Sequence, residues 1–451
     1  MCGICAVSGK DAYLVSRALL TRLNHRGQEG TGLFIHPAED NIIKGHGLVN
    51  EVLKIDNERK SLILTVGQVR YPTQGTLIPE NIQPIIKTID NVKYVIAHNG
   101  EIVGSNDLII KWNLEKEIPN HFSDTHIIPY SIARAPGENL EDKIINGLSN
   151  LNPSWSLCMA IQEEDKNPLL IFAKDPYGIR PLSLVKNHQG IYALSENSLP
   201  SKNGQEIREL EGGEIIFVEE GQIKKIHKIE QKRGSPCIFE LIYFHFPVGE
   251  FSGLDIPSVR DRLGRQLAIE DSKDNSIIKD SIVVYAPDSS HVAAVGYSSQ
   301  ANLPLKPGIV RRHYQSNPRG FMAKPEKRAA LLESKYEVIK QYIEGKKVIL
   351  IDDSIVRGNA SKYLVELLRK NGASEVHVRI PSSRIEHPCI YGIDMKSYPE
   401  LIAHKMSTDE IRKYIGANSL SYLSIEGMLN AIGLPKEKSC NACFTGNYPF
   451  K

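Results

Sequence analysis

The chain has 451 residues, and its 55 Lys and Arg against 53 Asp and Glu leave a formal net charge of +2. That balance argues against a nucleic-acid or membrane-surface binder, so an anionic partner must be met by a local site. With 41% hydrophobic and 24% charged residues the composition is that of a globular protein, long enough for two or three domains with full-sized cores.

From residue 1 to about 232 the pattern is one of short strands and turns. CGICAV reads as a strand, an apolar-periodic helix runs through Val15, Leu19 and Leu23, and strands follow in LILTVGQVRY, KYVIAHNG, SLCMAIQ, LLIFAKD and EIIFVEE. Strands punctuated by Gly, Asn and Asp suggest a layered α+β domain. KKIHKIEQKRGSP, charged and closing on Gly-Ser-Pro, marks a junction near residue 233. Beyond it strands alternate with longer helices: SIVVYA, KKVILIDD, a helix through Tyr363, Leu364, Leu367 and Leu368 closed by Gly372, then EVHVRIP. That rhythm predicts a parallel sheet with crossover helices. The last fifty residues read as helical, through Ile411 to Ile415 and Ile425 to Leu429, and end in SCNACF. No apolar run approaches the roughly 18 residues of a membrane span, and no signal-peptide pattern opens the chain, so a cytoplasmic protein is expected.

The seven cysteines are odd in number and widely spread, which points to catalysis or metal binding over disulfides. Cys2 follows the initiator methionine. Loss of Met1 would expose a Cys2 α-amine able to act as base for its own thiol. Cys5 and Cys158 lie in apolar strand patterns and read as packing residues.

HRGQEG (His25 to Gly30), GQVRYPTQG (Gly67 to Gly75), AHNGEIV (Ala97 to Val103), SDT (Ser123 to Thr125) and KDPYGIRPL (Lys174 to Leu182) together resemble the glutaminase domain of the N-terminal-nucleophile amidotransferases. The resemblance implies Cys2 as nucleophile and the Asn99 side chain and Gly100 N–H as oxyanion donors. It also implies Arg70 and Asp124 as the holders of the α-carboxylate and α-ammonium of glutamine. These roles suit the chemistry, because a primary amide is a poor electrophile and needs a strong nucleophile with donors aimed at the oxyanion. Two positions depart from the family: Gln68 stands where histidine is frequent, and Glu101 where asparagine is common.

VILIDDSIVRGNAS (Val348 to Ser361) is a buried-strand run, two acids and a glycine-bearing loop that opens a helix. Such a loop offers backbone N–H groups and a helix dipole to phosphate, with Arg357 adding charge. Asp352 and Asp353 could grip the two hydroxyls of a ribose. DDSIVRG resembles the phosphoribosylpyrophosphate motif of the type I phosphoribosyltransferases, and YAPDSSHVAAVGY (Tyr285 to Tyr297) resembles the pyrophosphate loop of their amidotransferase members. The resemblance implies a phosphoribosylpyrophosphate site of Asp288, Ser289, Ser290, Asp352, Asp353, Ser354, Arg357, Gly358, Asn359, Ala360 and Ser361. Magnesium is implied on Ser289, Asp352 and Asp353, a hard cation drawing oxygen ligands. Here RGNAS replaces the usual RGTTS, so Asn359 and Ala360 stand where two hydroxyls could bind phosphate, and weakened but retained binding is expected. His291 replaces a common arginine, and RRHYQSNPRGFM (Arg311 to Met322) resembles the start of a flexible lid in rearranged form.

CxxC at Cys440 and Cys443 is shared by zinc, iron–sulfur and redox sites, and four thiolates suit either tetrahedral zinc or a [4Fe–4S] cluster. The contexts of Cys237, Cys389, Cys440 and Cys443 are similar to those of the iron–sulfur subclass of the glutamine phosphoribosylpyrophosphate amidotransferases (amidophosphoribosyltransferases), which implies the [4Fe–4S] cluster.

The combined resemblance implies an α+β N-terminal-nucleophile (αββα) glutaminase domain, residues 2–232, and an interdomain segment, 233–255. An α/β type I phosphoribosyltransferase domain with a parallel sheet follows at 256–400, then a helical C-terminal tail with cluster cysteines at 401–451. The implied activity opens purine biosynthesis: ammonia from glutamine displaces pyrophosphate from 5-phosphoribosyl 1-pyrophosphate and gives 5-phosphoribosylamine. Purine nucleotide inhibitors and a homodimer or homotetramer are implied partners. Two alternatives stand beside it. A sugar isomerase fed by the same glutaminase lacks DDSIVRG, whereas a catalytically impaired paralogue that senses phosphoribosylpyrophosphate and nucleotides fits the altered phosphate loop.

Overall fold

A computed structural model describes residues 1–38, 41–55, 63–71, 78–198, 204–230, 232–273, 278–312 and 335–450. Among these, the first half is two antiparallel sheets face to face. One runs Glu206–Glu209, Ser183–Asn187, Gly190–Leu194, Gly3–Gly9, Leu64–Arg70, Gly30–His36, Ile42–His46 in spatial order. The other runs Gln222–Lys228, Glu214–Glu219, Leu169–Lys174, Trp155–Gln162, Val92–Gly100, Ile85–Ile89.

Side-chain alternation along Gly3–Gly9 explains the layering. Ile4 and Ala6 point between the sheets and meet Val95, Ala97, Cys158 and Phe172. Cys5 and Val7 point outward and pack under Tyr13, Leu19 and Leu20 of the helix Ala12–Arg22. On the far side, Ile128–Ala133 and Leu140–Ser149 cover the second sheet through Ile132, Ile144 and Leu148. The order is helix, sheet, sheet, helix, the αββα glutaminase architecture.

In the second half Ser281–Tyr285, Lys347–Ile351, Glu375–Ile380 and Ser419–Tyr422 form a parallel sheet in that order. Val348 and Leu350 face the helix Asn359–Lys370 through Leu364, Val365 and Leu368. Ile349 and Ile351 face the opposite layer, which contains Ile256–Lys273, His291–Ala301 and Ile425–Ile432. A sheet covered on both faces needs strands that are apolar throughout, which is how VILI reads. The helices Ile256–Lys273 and His291–Ala301 cross closely, because a Cβ at Gly264 would lie 1.9 Å from the Ala293 oxygen.

The helical reading of residues 401–451 is corrected at one element. Ser419–Tyr422 is a strand that extends the parallel sheet beside Glu375–Ile380. Its four residues, SLSY, bury Leu420 alone, too little to stand out as an apolar strand.

The two halves meet over buried charge. Arg26 donates through Nη2 to Glu240 Oε1 at 2.8 Å and through Nη1 to Glu196. Arg180 reaches the same Glu240 oxygen at 3.4 Å and donates to the Tyr391 carbonyl at 2.7 Å. The side chains of Arg26, Arg180, Glu196 and Glu240 are 0% exposed. Burial pushes the Glu240 carboxyl up, but Arg26 and Arg180 outweigh it and hold the group below the usual carboxylate range. Glu240→Gln keeps the shape while leaving both guanidiniums short of a counter-charge. Removing one member of a buried pair costs about 3–5 kcal/mol, so a large fall in the urea unfolding midpoint is expected; unchanged stability would show that the network does not hold the halves together.

Candidate active site

Cys2 opens the strand Gly3–Gly9, and the pairing of Gly3 with Val69 sets it beside the end of Leu64–Arg70. Its N–H donates to Asn99 Oδ1 at 3.4 Å, its Sγ lies 3.6 Å from the Tyr71 carbonyl, and its own carbonyl accepts from Arg26 Nε at 3.0 Å. Asn99 and Gly100 end the strand Val92–Gly100. Asn99 is fully buried, and its Nδ2 has no hydrogen-bond partner among the described residues. A buried amide donor without an acceptor is costly unless something arrives to accept from it. Gly100 has φ +151°, and a Cβ there would lie 2.2 Å from the Ser154 oxygen, so the strand end admits glycine alone.

Arg70 and Asp124 are buried, which rules out a solvated surface pair. Burial disfavours the Arg70 charge, and Cys2, Asp124 and Glu29 are the acidic groups that oppose this. Asp124 Oδ2 accepts from the Ile102 N–H at 2.8 Å and lies 3.8 Å from His98 Nδ1. The two departures have local partners. Gln68 Nε2 donates to Gln83 Oε1 at 2.7 Å and to the His98 carbonyl at 2.9 Å, tying the sheets together. Glu101 Oε2 sits 2.8 Å from Lys396 Nζ, a residue of the other half.

The second site forms where the strand Lys347–Ile351 ends. Asp352 and Asp353 are buried and ringed by hydroxyls. Ser289 Oγ lies 2.5 Å and Ser290 Oγ 3.5 Å from Asp353 Oδ2, Ser354 Oγ donates to Asp353 Oδ1 at 2.8 Å, and Ser361 Oγ donates to Asp352 Oδ2 at 3.0 Å. Burial pushes the Asp352 carboxyl up to about 7, with the Asp353 charge adding to it. Burial pushes Asp353 up as well, against the Ser289 and Ser354 hydroxyls. Two carboxylates so placed, with a serine hydroxyl, are a donor set that fits a hard divalent cation.

Around them the loop that resembles a phosphate loop turns at Gly358, φ +78°, into the helix Asn359–Lys370. Arg357 contacts Glu400 and donates to the Asp394 carbonyl at 3.3 Å. Asn359 Oδ1 accepts from the Tyr414 hydroxyl at 3.0 Å, and Ala360 is exposed. Asp288 is exposed and lies 3.5 Å from Arg311, while His291 opens its helix with its ring 4.7 Å from that of Tyr285. The lid stretch from His313 onward lies outside the described residues.

Cys237, Cys389, Cys440 and Cys443 line one cavity with Ile179, Arg180 and Tyr391. Cys440 N–H donates to the Pro236 carbonyl and Ile238 N–H to the Cys440 carbonyl, which draws the interdomain segment onto the tail. Arg180 Nη2 lies 3.8 Å from Cys389 Sγ. Among the described residues no three or more His, Cys, Asp or Glu side chains are grouped so as to hold a metal ion. Cys5 and Cys158 are packing residues, 0% exposed, their thiols pushed up by burial, Cys5 to about 12.

The sequence reading assigned no role to Arg26, Arg180, Glu240 or Lys396. The signal for the first three was there: arginines inside two of the quoted motifs, and an acid inside the apolar run CIFELIYF.

A family model described as a glutamine amidotransferase domain matches residues 72–199. The amidophosphoribosyltransferase of Bacillus subtilis is 35% identical over 99% of this chain and 94% of its own. That of Methanocaldococcus jannaschii is 33% identical over 100% and 98%. The chain belongs to the amidophosphoribosyltransferase family. A solved glutamine phosphoribosylpyrophosphate amidotransferase from B. subtilis, complexed with ADP and GMP, superposes with a TM-score of 0.85 at 34% identity, covering 100% of this chain and 98% of that one. A structure described as the allosteric regulatory enzyme of purine biosynthesis gives 0.86 at 34%, covering 100% and 96%. Both confirm the amidophosphoribosyltransferase fold of a glutaminase joined to a phosphoribosyltransferase.

Thiol exposure gives a direct check on this site. Cys2 is 8% exposed, against 0% for Cys5 and Cys158. Because alkylation needs an accessible thiolate, brief iodoacetamide treatment of the folded protein should label Cys2 well ahead of those two. Peptide mass spectrometry showing equal labelling would contradict the placement.

Proposed function

We propose that this chain is a glutamine-dependent amidophosphoribosyltransferase, with residues 2–232 as glutaminase, 233–255 as linker and 256–400 as transferase. The tail 401–451 lends the strand Ser419–Tyr422 to the transferase sheet. The observation that carries the reading is the Asn99 amide: it holds Cys2 through Oδ1 and keeps Nδ2 unpartnered beside it.

Loss of Met1 makes the Cys2 amine the base. Once free, that amine can take the proton of its own thiol and pass it to the departing ammonia. The Cys2 sulfur attacks the glutamine amide carbon, and Asn99 Nδ2 and Gly100 N–H receive the oxyanion. Ammonia leaves and water releases glutamate from the thioester, with Arg70 holding the α-carboxylate and Asp124 the α-ammonium.

Across the interface, backbone N–H groups from Arg357 to Ser361, at a helix N-terminus, hold the 5-phosphate. Asp352 and Asp353 hold the ribose hydroxyls, with Asp288, Ser289 and Ser290 at the pyrophosphate and Ser354 buttressing Asp353. Ammonia attacks C1, pyrophosphate departs, and 5-phosphoribosylamine forms. Magnesium held by Ser289, Asp352 and Asp353 would neutralise the leaving group when bound.

The four cysteines support a [4Fe–4S] cluster over zinc. They share one cavity, and their sequence contexts resemble those of the iron–sulfur subclass. Burial pushes Cys237 up to about 11 and Cys440 and Cys443 well above the usual range, so a metal centre is what would deprotonate them. Purine nucleotides as inhibitors, as the ADP and GMP complex of the Bacillus relative suggests, and assembly as a homodimer or homotetramer complete the proposal.

Cys2→Ala should abolish glutamine-dependent pyrophosphate release and spare release driven by added ammonia; a variant still using glutamine would overturn the assignment. Asn99→Ala should lower glutamine use by about 10²–10³ in kcat. Protein purified without air should carry iron and labile sulfide, and stoichiometric zinc without iron would refute the cluster.

A further inference from the structure

Glu101 follows the donor Gly100 directly and faces the transferase half. Its backbone is fixed in both directions, N–H to the Ser154 carbonyl at 3.0 Å and carbonyl from the Ser154 N–H at 2.8 Å. Its carboxylate lies 2.8 Å from Lys396 Nζ, with side chains 16% and 31% exposed. Around this pair the halves meet backbone to backbone. A Cβ at Gly392 would lie 2.7 Å from the Gly100 carbonyl carbon and oxygen, and Ser154 Oγ donates to the Tyr391 carbonyl at 2.8 Å. Lys396 is anchored in turn, its N–H donating to Glu400 Oε1 at 2.5 Å. Glu400 is the partner of Arg357 in the phosphate loop.

A carboxylate at this place is unfavourable on its own. Burial pushes it up, Lys396 opposes that, and the nearby Asp124 charge adds to it, for a result of about 7. An acid held against burial and a like charge needs its cation, and that cation comes from a segment that also touches Gly100.

We propose that Glu101 and Lys396 are positioning residues, an ion pair that pins the Gly100 donor against residues 391–396 of the transferase half and keeps its N–H aimed at the developing oxyanion. The pair accounts for the departure from asparagine at position 101, because an asparagine would give Lys396 no counter-charge. It rests on the role of Gly100 as oxyanion donor proposed above.

Glu101→Gln and Lys396→Met, singly and together in the full chain, test it. Misalignment of a donor costs less than its removal, so each single change should lower glutamine-dependent kcat by about 10-fold to 100-fold. KM for glutamine should move by less than about threefold because Arg70 and Asp124 are untouched, and ammonia-dependent pyrophosphate release should stay within about twofold. The double change should be no worse than the worse single, since both break one contact. Lys396→Arg should retain most of the activity. Singles that keep glutamine kcat, effects that multiply in the double variant, or ammonia-dependent release falling in step would each overturn the pairing. Failure of the underlying assignment reads differently: with Glu101 and Lys396 intact, glutamine hydrolysis would then survive Cys2→Ala.

Discussion

The buried network of Arg26, Glu196, Glu240 and Arg180 is the constraint on which both halves depend. Arg26 belongs to the turn after the first helix, Glu240 to the interdomain segment, and Arg180 to the loop after the strand Leu169–Lys174, so no one domain contains a neutral set. Each ion alone would carry a desolvation penalty of several kcal/mol, and only the assembled interface supplies partners for all. Arg26 also donates to the carbonyl of Cys2, and Arg180 to that of Tyr391. The backbone of Cys2 is therefore held by an arginine whose buried charge is balanced by Glu196 of its own half and by Glu240 of the interdomain segment.

Chemistry gives a reason for such dependence. Ammonia in neutral water is mostly ammonium, which has no lone pair for attack at C1. A glutaminase that ran unattended would release nitrogen in the wrong protonation state. Joining the proposed glutaminase site to the half proposed to bind the acceptor would confine hydrolysis to a molecule whose two sites face each other. The segment 389–400 is the material link. It carries Cys389 into the cysteine cavity, lays Gly392 on Gly100, and brings Asp394 and Glu400 to Arg357.

How much of this could be read from the sequence follows the range of the interactions involved. Alternation in CGICAV and LILTVGQVRY and the apolar run VILI sort side chains over a few neighbouring residues, and those strands form where the pattern places them. The proposed nucleophile, oxyanion donors and paired aspartates lie in contiguous motifs whose chemistry is local, and the structure brings Cys2 to Asn99 and Ser289 to Asp353. What stayed hidden joins distant positions. Glu101 and Lys396 look like two unremarkable charges until the halves dock, and Glu240 looks like a flaw in an apolar run until Arg26 and Arg180 reach it. The strand Ser419–Tyr422 escaped for another reason: a short edge strand is specified by the neighbour it pairs with more than by its own residues.

The phosphate loop shows how such long-range partners change the meaning of a motif. Read alone, RGNAS has lost two hydroxyls and kept an arginine and a serine for phosphate. In the fold those groups are engaged: Arg357 contacts Glu400, Ser361 bonds Asp352, and Asn359 accepts from Tyr414. At this proposed site a 5-phosphate would meet backbone N–H groups and the positive end of the helix Asn359–Lys370 first. It gains the guanidinium only by competing with Glu400, whose Oε1 also accepts from Lys396 N–H. With these side chains engaged in the fold, the proposed phosphate site rests on backbone N–H groups, and Arg357 is shared with Glu400.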